Sequence, residues 1–211
     1  MRVNKVVQKV TAFITRERNG VKELLVFKHP TTGTQIPAGT VEKGEDIETA
    51  VKRETYEETG LQLVEIENYL GCFENELEDN QRIITETTQV YIEPDLTAIP
   101  YKRMLPKGLT VNYLSTRENF TRVSYIEYEF DKFHKPIHIG TNITGWVRNE
   151  NLSAEKKRHF FLMSTQEETA DAWELKSDLG HIFKPYWTPL SPKPQIIPPQ
   201  DKWLDFVYEK I

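Results

Sequence analysis

The sequence predicts an α/β fold on three observations. Runs rich in β-branched and aromatic residues alternate with turn signals, one stretch carries an apolar stripe at helical spacing between two cap residues, and a second helix-like stretch closes the chain. "KVVQKVTAFIT" and "ELLVFKH" flank the turn "RERNG" and read as a hairpin leading into the loop around Gly39. In "EDIETAVKRETYEETG", Ile47, Ala50 and Val51 lie on one helical stripe, with Asp46 placed to cap its start and Gly60 to end its last turn. "YLGCFENEL" and "RIITETTQVYI" read as two strands around the acidic turn "EDNQ", which leaves Glu86 facing either solvent or a pocket. "TRVSYIEYEF", with Ile126, Tyr128 and Phe130 on one face, and "PIHIGTNITGWV" predict a β-hairpin across "DKFHK". "KRHFFLMST" and "WELKSDLGHIFKPYWTPL" supply the last strands, and the Pro-rich "TPLSPKPQIIPPQ" is a stiff link to a closing helix over 201–211.

A chain of 211 residues can bury a substantial core. No apolar run approaches the roughly 18–20 residues needed to span a bilayer, and "MRVNKVVQKV" lacks a signal-peptide core, so the expectation is no membrane association. The lone Cys72 excludes an internal disulfide and fits a reducing cytoplasm. For the same reason "NIT" at Asn142 is read as a chance match to a glycosylation site and Cys72 as a small buried side chain. Residues 95–159 hold 11 basic against 7 acidic side chains, whereas residues 1–94 hold 11 against 17. That excess suits either a phosphate-rich partner or an ordinary solvated surface.

The chemistry concentrates in "RETYEETGL". At about 100° per residue, Glu54 and Glu58 fall within roughly 20° of Ile47 and continue its stripe, while Glu57 lies about 80° to one side. Two like charges near 4 Å cost about 1 kcal/mol in water and roughly 4 kcal/mol at an effective dielectric of 20, so a cation should offset them. Hard oxygen ligands favour Mg²⁺ or Mn²⁺ over zinc, and the nearby chain has no Cys/His set. The cluster therefore reads as a divalent-cation site, the alternative being a solvated helix face.

From Gly39 to Leu61 the chain fits GX5EX7REUXEEXGU, the Nudix box, with identities at Gly39, Glu45, Arg53, Glu54, Glu57, Glu58 and Gly60. A chance match is on the order of one in 10⁵. The chain thus resembles the Nudix (MutT-like) phosphohydrolases, departing at Thr55, where an aliphatic residue is usual. The resemblance implies an α/β/α sandwich with a mixed β-sheet. It also implies one Nudix domain over 1–211, interrupted by an inserted β-rich element over 95–157. Glu54, Glu57 and Glu58 match the family's cation ligands, joined by the Ala38 carbonyl; Arg53 matches the arginine that orients them and Glu45 its charged partner.

The implied activity is Mg²⁺- or Mn²⁺-dependent hydrolysis of a diphosphate linkage, in a nucleoside diphosphate joined to another moiety or in a nucleoside triphosphate. The general base in this family comes from the box or from a later loop. Glu54 is the box candidate, and Glu167, Glu168 and Glu174 are later ones that read first as solvated loop acids. Lys28 and Arg82 are candidates for phosphate contact, and Trp146, Trp173, Tyr186 and Trp187 for base stacking, against surface and core roles respectively. His134, His138, His159 and His181 show no ligand spacing. Two other readings stay open: an RNA 5′-end hydrolase, motivated by the basic middle of the chain, and a non-catalytic nucleotide sensor, whose mark would be an eroded box. A homodimer is an expectation by family analogy.

Overall fold

The computed structural model describes residues 6–30, 32–74, 76–130, 135–176 and 182–211. His134, His181, the side chain of His138 and most of the "DKFHK" turn lie outside the described residues. The strands are β1 (Val7–Arg18), β2 (Val21–His29), β3 (Gly33–Gln35), β4 (Ala38–Thr40), β5 (Val64–Phe73), β6 (Gln81–Ile84) and β7 (Thr110–Arg117). They continue with β8 (Phe120–Phe130), β9 (Pro136–Arg148), β10 (Leu152–Ser153), β11 (Lys156–Thr165), β12 (Leu175–Lys176) and β13 (Ile182–Pro189). Helix α1 spans Ile47–Thr59, and α2 spans Gln200–Val207 before a 3₁₀ turn, Tyr208–Lys210. The chain divides into two compact units, one built mainly from Val10–Cys72 and His159–Ile211, the other mainly from Phe73–Glu129 and Pro136–Arg158.

The first unit holds an eight-stranded sheet with the path β12-β13-β2-β1-β11-β5, β3 joining β2 and β4 joining β1. Its first hairpin closes at Asn19 and Gly20, with φ of 53° and 75°, the left-handed pair that an Asn-Gly turn supplies at least cost. Strand alternation then sorts the core. Val10, Ala12 and Ile14 of β1, Leu25 of β2, Phe161 and Met163 of β11 and Trp187 of β13 enclose Ala50 and Val51 of α1. The intervening residues turn the other way: Phe13 meets Phe160, which in turn meets Trp203 and Phe206 of α2, at centroid distances of 6.5 and 5.5 Å. The helices therefore cover opposite faces of the sheet, as the predicted α/β/α sandwich requires. Burying one such side chain contributes about 1.5–3 kcal/mol, so packing, more than helix propensity, holds a helix this short.

Thr55, the departure from the box pattern, is fully buried against β11. Its hydroxyl donates to the Val51 carbonyl at 2.8 Å and lies 3.9 Å from the Met163 sulfur, so the helix itself satisfies the polar group.

The second unit holds a five-stranded sheet in the order β10-β6-β7-β8-β9 over a core that includes Ile84, Leu105, Val111, Val123 and Val147. β8 and β9 are neighbours, as read from the sequence. Two features differ from that reading. β5 and β6, which flank the "EDNQ" turn, belong to different sheets. The strand read over 82–92 stops at Ile84. Beyond it Thr88 exchanges both backbone bonds with Leu105, at 2.9 and 3.0 Å, and Tyr91 with Trp146, at 2.8 Å each. These partners are distant in sequence, so local alternation carried no sign of them. Glu86 is exposed, and Cys72 is only half-buried. Among the described residues no helix is long and apolar enough to cross a membrane.

Candidate active site

Helix α1 owes its ends to two residues. The Asp46 carboxylate accepts the N–H groups of Glu48 and Thr49, at 3.0 and 2.9 Å, and the Thr49 bond first among them holds this carboxyl below its ordinary range. Gly60 leaves the helix at φ 81°, its N–H bonded to the Tyr56 carbonyl at 2.8 Å. Between those caps, Ala50, Val51, Thr55 and Thr59 are buried. Glu54 and Glu58 are half-buried beside them, and Glu57 is exposed, the arrangement read from the stripe.

Arg53 is the hub. Its Nε and Nη2 donate to the two oxygens of Glu45, each at 2.9 Å; Nη1 donates to Glu54 Oε1 at 2.9 Å and to Glu57 Oε2 at 3.3 Å, and Nη2 also reaches the Thr40 carbonyl at 3.0 Å. The loop before the helix closes the lattice from the other side. The Ala38 N–H donates to Glu58 Oε2 at 2.8 Å, that of Thr40 to Glu54 Oε1 at 3.0 Å, and that of Glu42 to Glu45 Oε2 at 2.8 Å. Gly39 lies where the loop and Glu54 nearly touch: a Cβ there would fall 1.8 Å from Glu54 Cδ. Close approach, not a left-handed φ, is what demands glycine at this position.

Three of these groups respond electrostatically. Burial pushes the Glu54 carboxyl up, against the pull of Arg53. The bond from Arg53 holds Glu45 down, and that same pair raises the Arg53 guanidinium further above its already high value. Three glutamates on one arginine, with Glu58 held by the loop beside them, leave a formal excess of negative charge, much of it out of bulk water. Carboxylate oxygens and a loop carbonyl at Ala38 are hard donors that fit Mg²⁺ or Mn²⁺, and a dication would offset the cost of keeping the buried Glu54 carboxylate ionised. Among the described residues no three His, Cys, Asp or Glu side chains are already gathered into a cage; Arg53 and the loop N–H groups hold the glutamates instead.

The candidates outside the box fare differently. Lys28 is exposed on β2, opposite Thr34 of β3 and Lys184 of β13. Thr34 and Tyr186, whose hydroxyls lie 3.0 Å apart, line a cavity of about 610 Å³ with Thr188, Ile196 and Asp201. Arg82 belongs to the other unit, where its guanidinium bonds the Asp79 carbonyl and stacks 4.8 Å over Tyr113. Glu167 accepts the backbone N–H groups of Gln62 and Leu63, Glu168 is exposed, and Glu174 pairs with Lys184 at 2.8 Å. Trp187 is buried in the core and Trp173 donates its indole N–H to the Thr59 carbonyl at 2.7 Å, whereas Trp146 pairs through its backbone with Tyr91. His159 is buried with its Nδ1 2.9 Å from the Tyr69 hydroxyl. Sequence reading missed the roles of Thr40, Trp173 and Glu167; only Thr40, next to Gly39, carried any signal.

Fold and site together define an α/β protein in which an arginine gathers a helix's glutamates against a glycine loop. The NUDIX domain family matches residues 6–99, a span that contains the whole lattice. No curated protein sequence matches the chain. Among solved structures, the crystal structure of C. elegans Ap4A hydrolase aligns at 15% identity and a TM-score of 0.37, over 89% of this chain and 83% of that one.

Proposed function

We propose that this protein is a Nudix pyrophosphohydrolase that cleaves the diphosphate linkage of a nucleoside diphosphate joined to another moiety, or of a nucleoside triphosphate, with Mg²⁺ or Mn²⁺. The observation that carries the reading is the Arg53 lattice, which holds Glu45, Glu54 and Glu57 while the loop around Gly39 holds Glu54 and Glu58. Glu54, Glu57, Glu58 and the Ala38 carbonyl would hold the cation. Bound there, it supplies charge neutralisation for phosphate oxygens and a lowered pKa for a coordinated water. Arg53 keeps the glutamates in place, and the loop N–H groups fix two of them from the other side.

In the reaction a water oxygen bonds to one phosphorus as the bond from that phosphorus to the bridging oxygen breaks, and the second phosphoryl group departs with its substituent. The water proton passes to a carboxylate, for which Glu54 is the box candidate. Glu168 and Glu174 are the later-loop alternatives, the latter already paired with Lys184. On the substrate side, Lys28 is suited to a phosphate and the neighbouring cavity beside Tyr186 to a nucleoside. The element over 95–157 is proposed as an insertion in the Nudix domain, and a cytoplasmic homodimer as its setting.

The basic middle of the chain gives little support to RNA as substrate. Arg103 pairs with Glu127, Arg148 with Glu150, Lys157 with Glu74, and both Lys156 and Arg158 with Glu76. Local acids thus offset much of its charge. The sensor reading lacks its mark, since the box residues are intact.

The test is a screen of nucleotide sugars, dinucleoside polyphosphates, ADP-ribose, triphosphates and capped RNA with each metal, alongside Glu58→Gln. Turnover of a small nucleotide, lost in the variant, is expected. A wild type inert to all of them would sink the proposal.

A further inference from the structure

We infer that residues 165–174 form a clasp on the exit of α1, in which Glu167 and Trp173 are positioning residues and neither accepts the reaction's proton. An α-helix ends with carbonyls and following N–H groups whose i to i−4 partners are missing. Were α1 to continue, the N–H groups of Gln62 and Leu63 would bond the carbonyls of Glu58 and Thr59. Glu167 takes both donors on its Oε1, and the Trp173 indole N–H takes the Thr59 carbonyl at 2.7 Å. The Thr165 hydroxyl adds a bond to the Leu63 carbonyl at 3.0 Å and itself receives the Glu167 N–H at 3.1 Å. One short segment therefore completes the helix exit in both senses, donor and acceptor.

The same segment is anchored to the sheet at its other end. The Trp187 indole donates to Thr169 Oγ1 at 2.8 Å, the Trp187 N–H to the Asp171 carbonyl at 2.9 Å, and the Trp173 N–H to the Pro185 carbonyl at 3.0 Å. Arg16 reaches Asp171 Oδ1 at 3.2 Å from β1. The clasp thus ties the last turn of α1 to β13 and β1. Glu57 and Glu58 sit in that turn, two residues and one residue before Thr59. Their placement depends on an exit that does not fray. An oxygen committed to two backbone donors at the helix exit has a structural task that needs an acceptor, not a base.

The inference rests on the hydrolase reading only for its turnover arm. Three variants are compared: Glu167→Gln, which keeps an acceptor oxygen but not a base, Glu167→Ala, which keeps neither, and Trp173→Phe, which keeps the ring without its donor. Readouts are hydrogen exchange at the amides of Gln62 and Leu63, Mn²⁺ binding by electron paramagnetic resonance, and turnover. Glu167→Gln is expected to stay within about threefold of wild type throughout, a loss smaller than removal of a supporting shell usually brings. Glu167→Ala and Trp173→Phe should speed exchange at the helix exit and weaken Mn²⁺ binding by about tenfold, with substrate KM little changed. A Gln variant as inactive as the Ala variant would make Glu167 the base and overturn the inference. Wild-type exchange rates in Glu167→Ala would overturn it as well. If the wild type hydrolyses nothing, the hydrolase reading fails while exchange and Mn²⁺ binding still decide the clasp.

Discussion

The Arg53 guanidinium meets the Glu45 carboxylate with two parallel bonds, Nε to Oε1 and Nη2 to Oε2, each 2.9 Å long. This fork fixes the plane of the arginine and so the direction in which Nη1 presents itself to Glu54 and Glu57. Glu45→Gln removes the charge and one acceptor of the fork. Loss of such a supporting partner typically costs about 10–100-fold in metal affinity or activity, and that range is expected here with the near-UV circular dichroism unchanged. Arg53→Lys should cost more, because an ammonium cannot hold two carboxylates in a fixed plane. Equal activity in wild type and Glu45→Gln would show that the fork does not order the site.

Gly39→Ala tests the closest approach in the site. The added methyl would fall 1.8 Å from Glu54 Cδ and about as close to both its oxygens, so either the loop or the carboxylate must move. A displacement of about 1 Å at a reacting centre can cost about 10²-fold in rate, and a loss of that order is the expected outcome. The melting temperature separates the two ways of yielding. If Glu54 swings aside, stability changes little; if the loop backbone shifts, its pairing with β1 weakens and the protein melts earlier.

How much of this was legible in advance follows the range of each interaction. Asp46, Gly60 and the stripe through Ile47, Ala50 and Val51 are local signals, and they place α1 and its half-buried glutamates correctly. The alternation of β1 and β11, Phe13 and Phe160 to one face and Ile14 and Phe161 to the other, is likewise written in the chain. What stayed hidden depends on partners far away in sequence. "YLGCFENEL" gives no sign that its strand joins β11 while the next strand joins another sheet. Nothing near Glu167 shows that its oxygen serves Gln62 and Leu63, more than 100 residues earlier. The excess of basic residues over 95–159 reads in the sequence as either a phosphate-rich partner's surface or an ordinary solvated one, because Glu74 and Glu76, which pair with Lys157, Lys156 and Arg158, lie about 80 residues earlier.

Thr55→Val should be close to neutral. The hydroxyl's acceptor, the Val51 carbonyl, is also the helical acceptor of residue 55, so removing the hydroxyl leaves no buried group without a partner. Urea denaturation is expected to shift stability by less than about 1 kcal/mol. A loss of several kcal/mol would mean that the hydroxyl carries a further interaction in the core.

Glu54 and Glu45 should respond to pH in opposite directions in metal-free protein. Burial raises the folded pKa of Glu54 above its ordinary 4.5, so the native state holds its proton more tightly than the unfolded chain. Its penalty is absent below the unfolded value and grows as pH rises through the raised folded one. Arg53 lowers the folded pKa of Glu45 from the same 4.5, so that group stabilises the fold above the unfolded value and loses the contribution as pH falls through the lowered one. Melting temperatures between pH 3 and 8 without metal should therefore show Glu54→Gln above wild type at neutral pH, and Glu45→Gln below it, with both differences shrinking on acidification. Mg²⁺ at about 100 times its Kd should stabilise the wild type by about 2.7 kcal/mol and Glu54→Gln by much less. A metal-free Glu54→Gln that melts earlier than wild type at pH 7 would mean that the bonds from Arg53 and Thr40 outweigh burial at Glu54, and that the carboxylate needs no dication to be stable where it is.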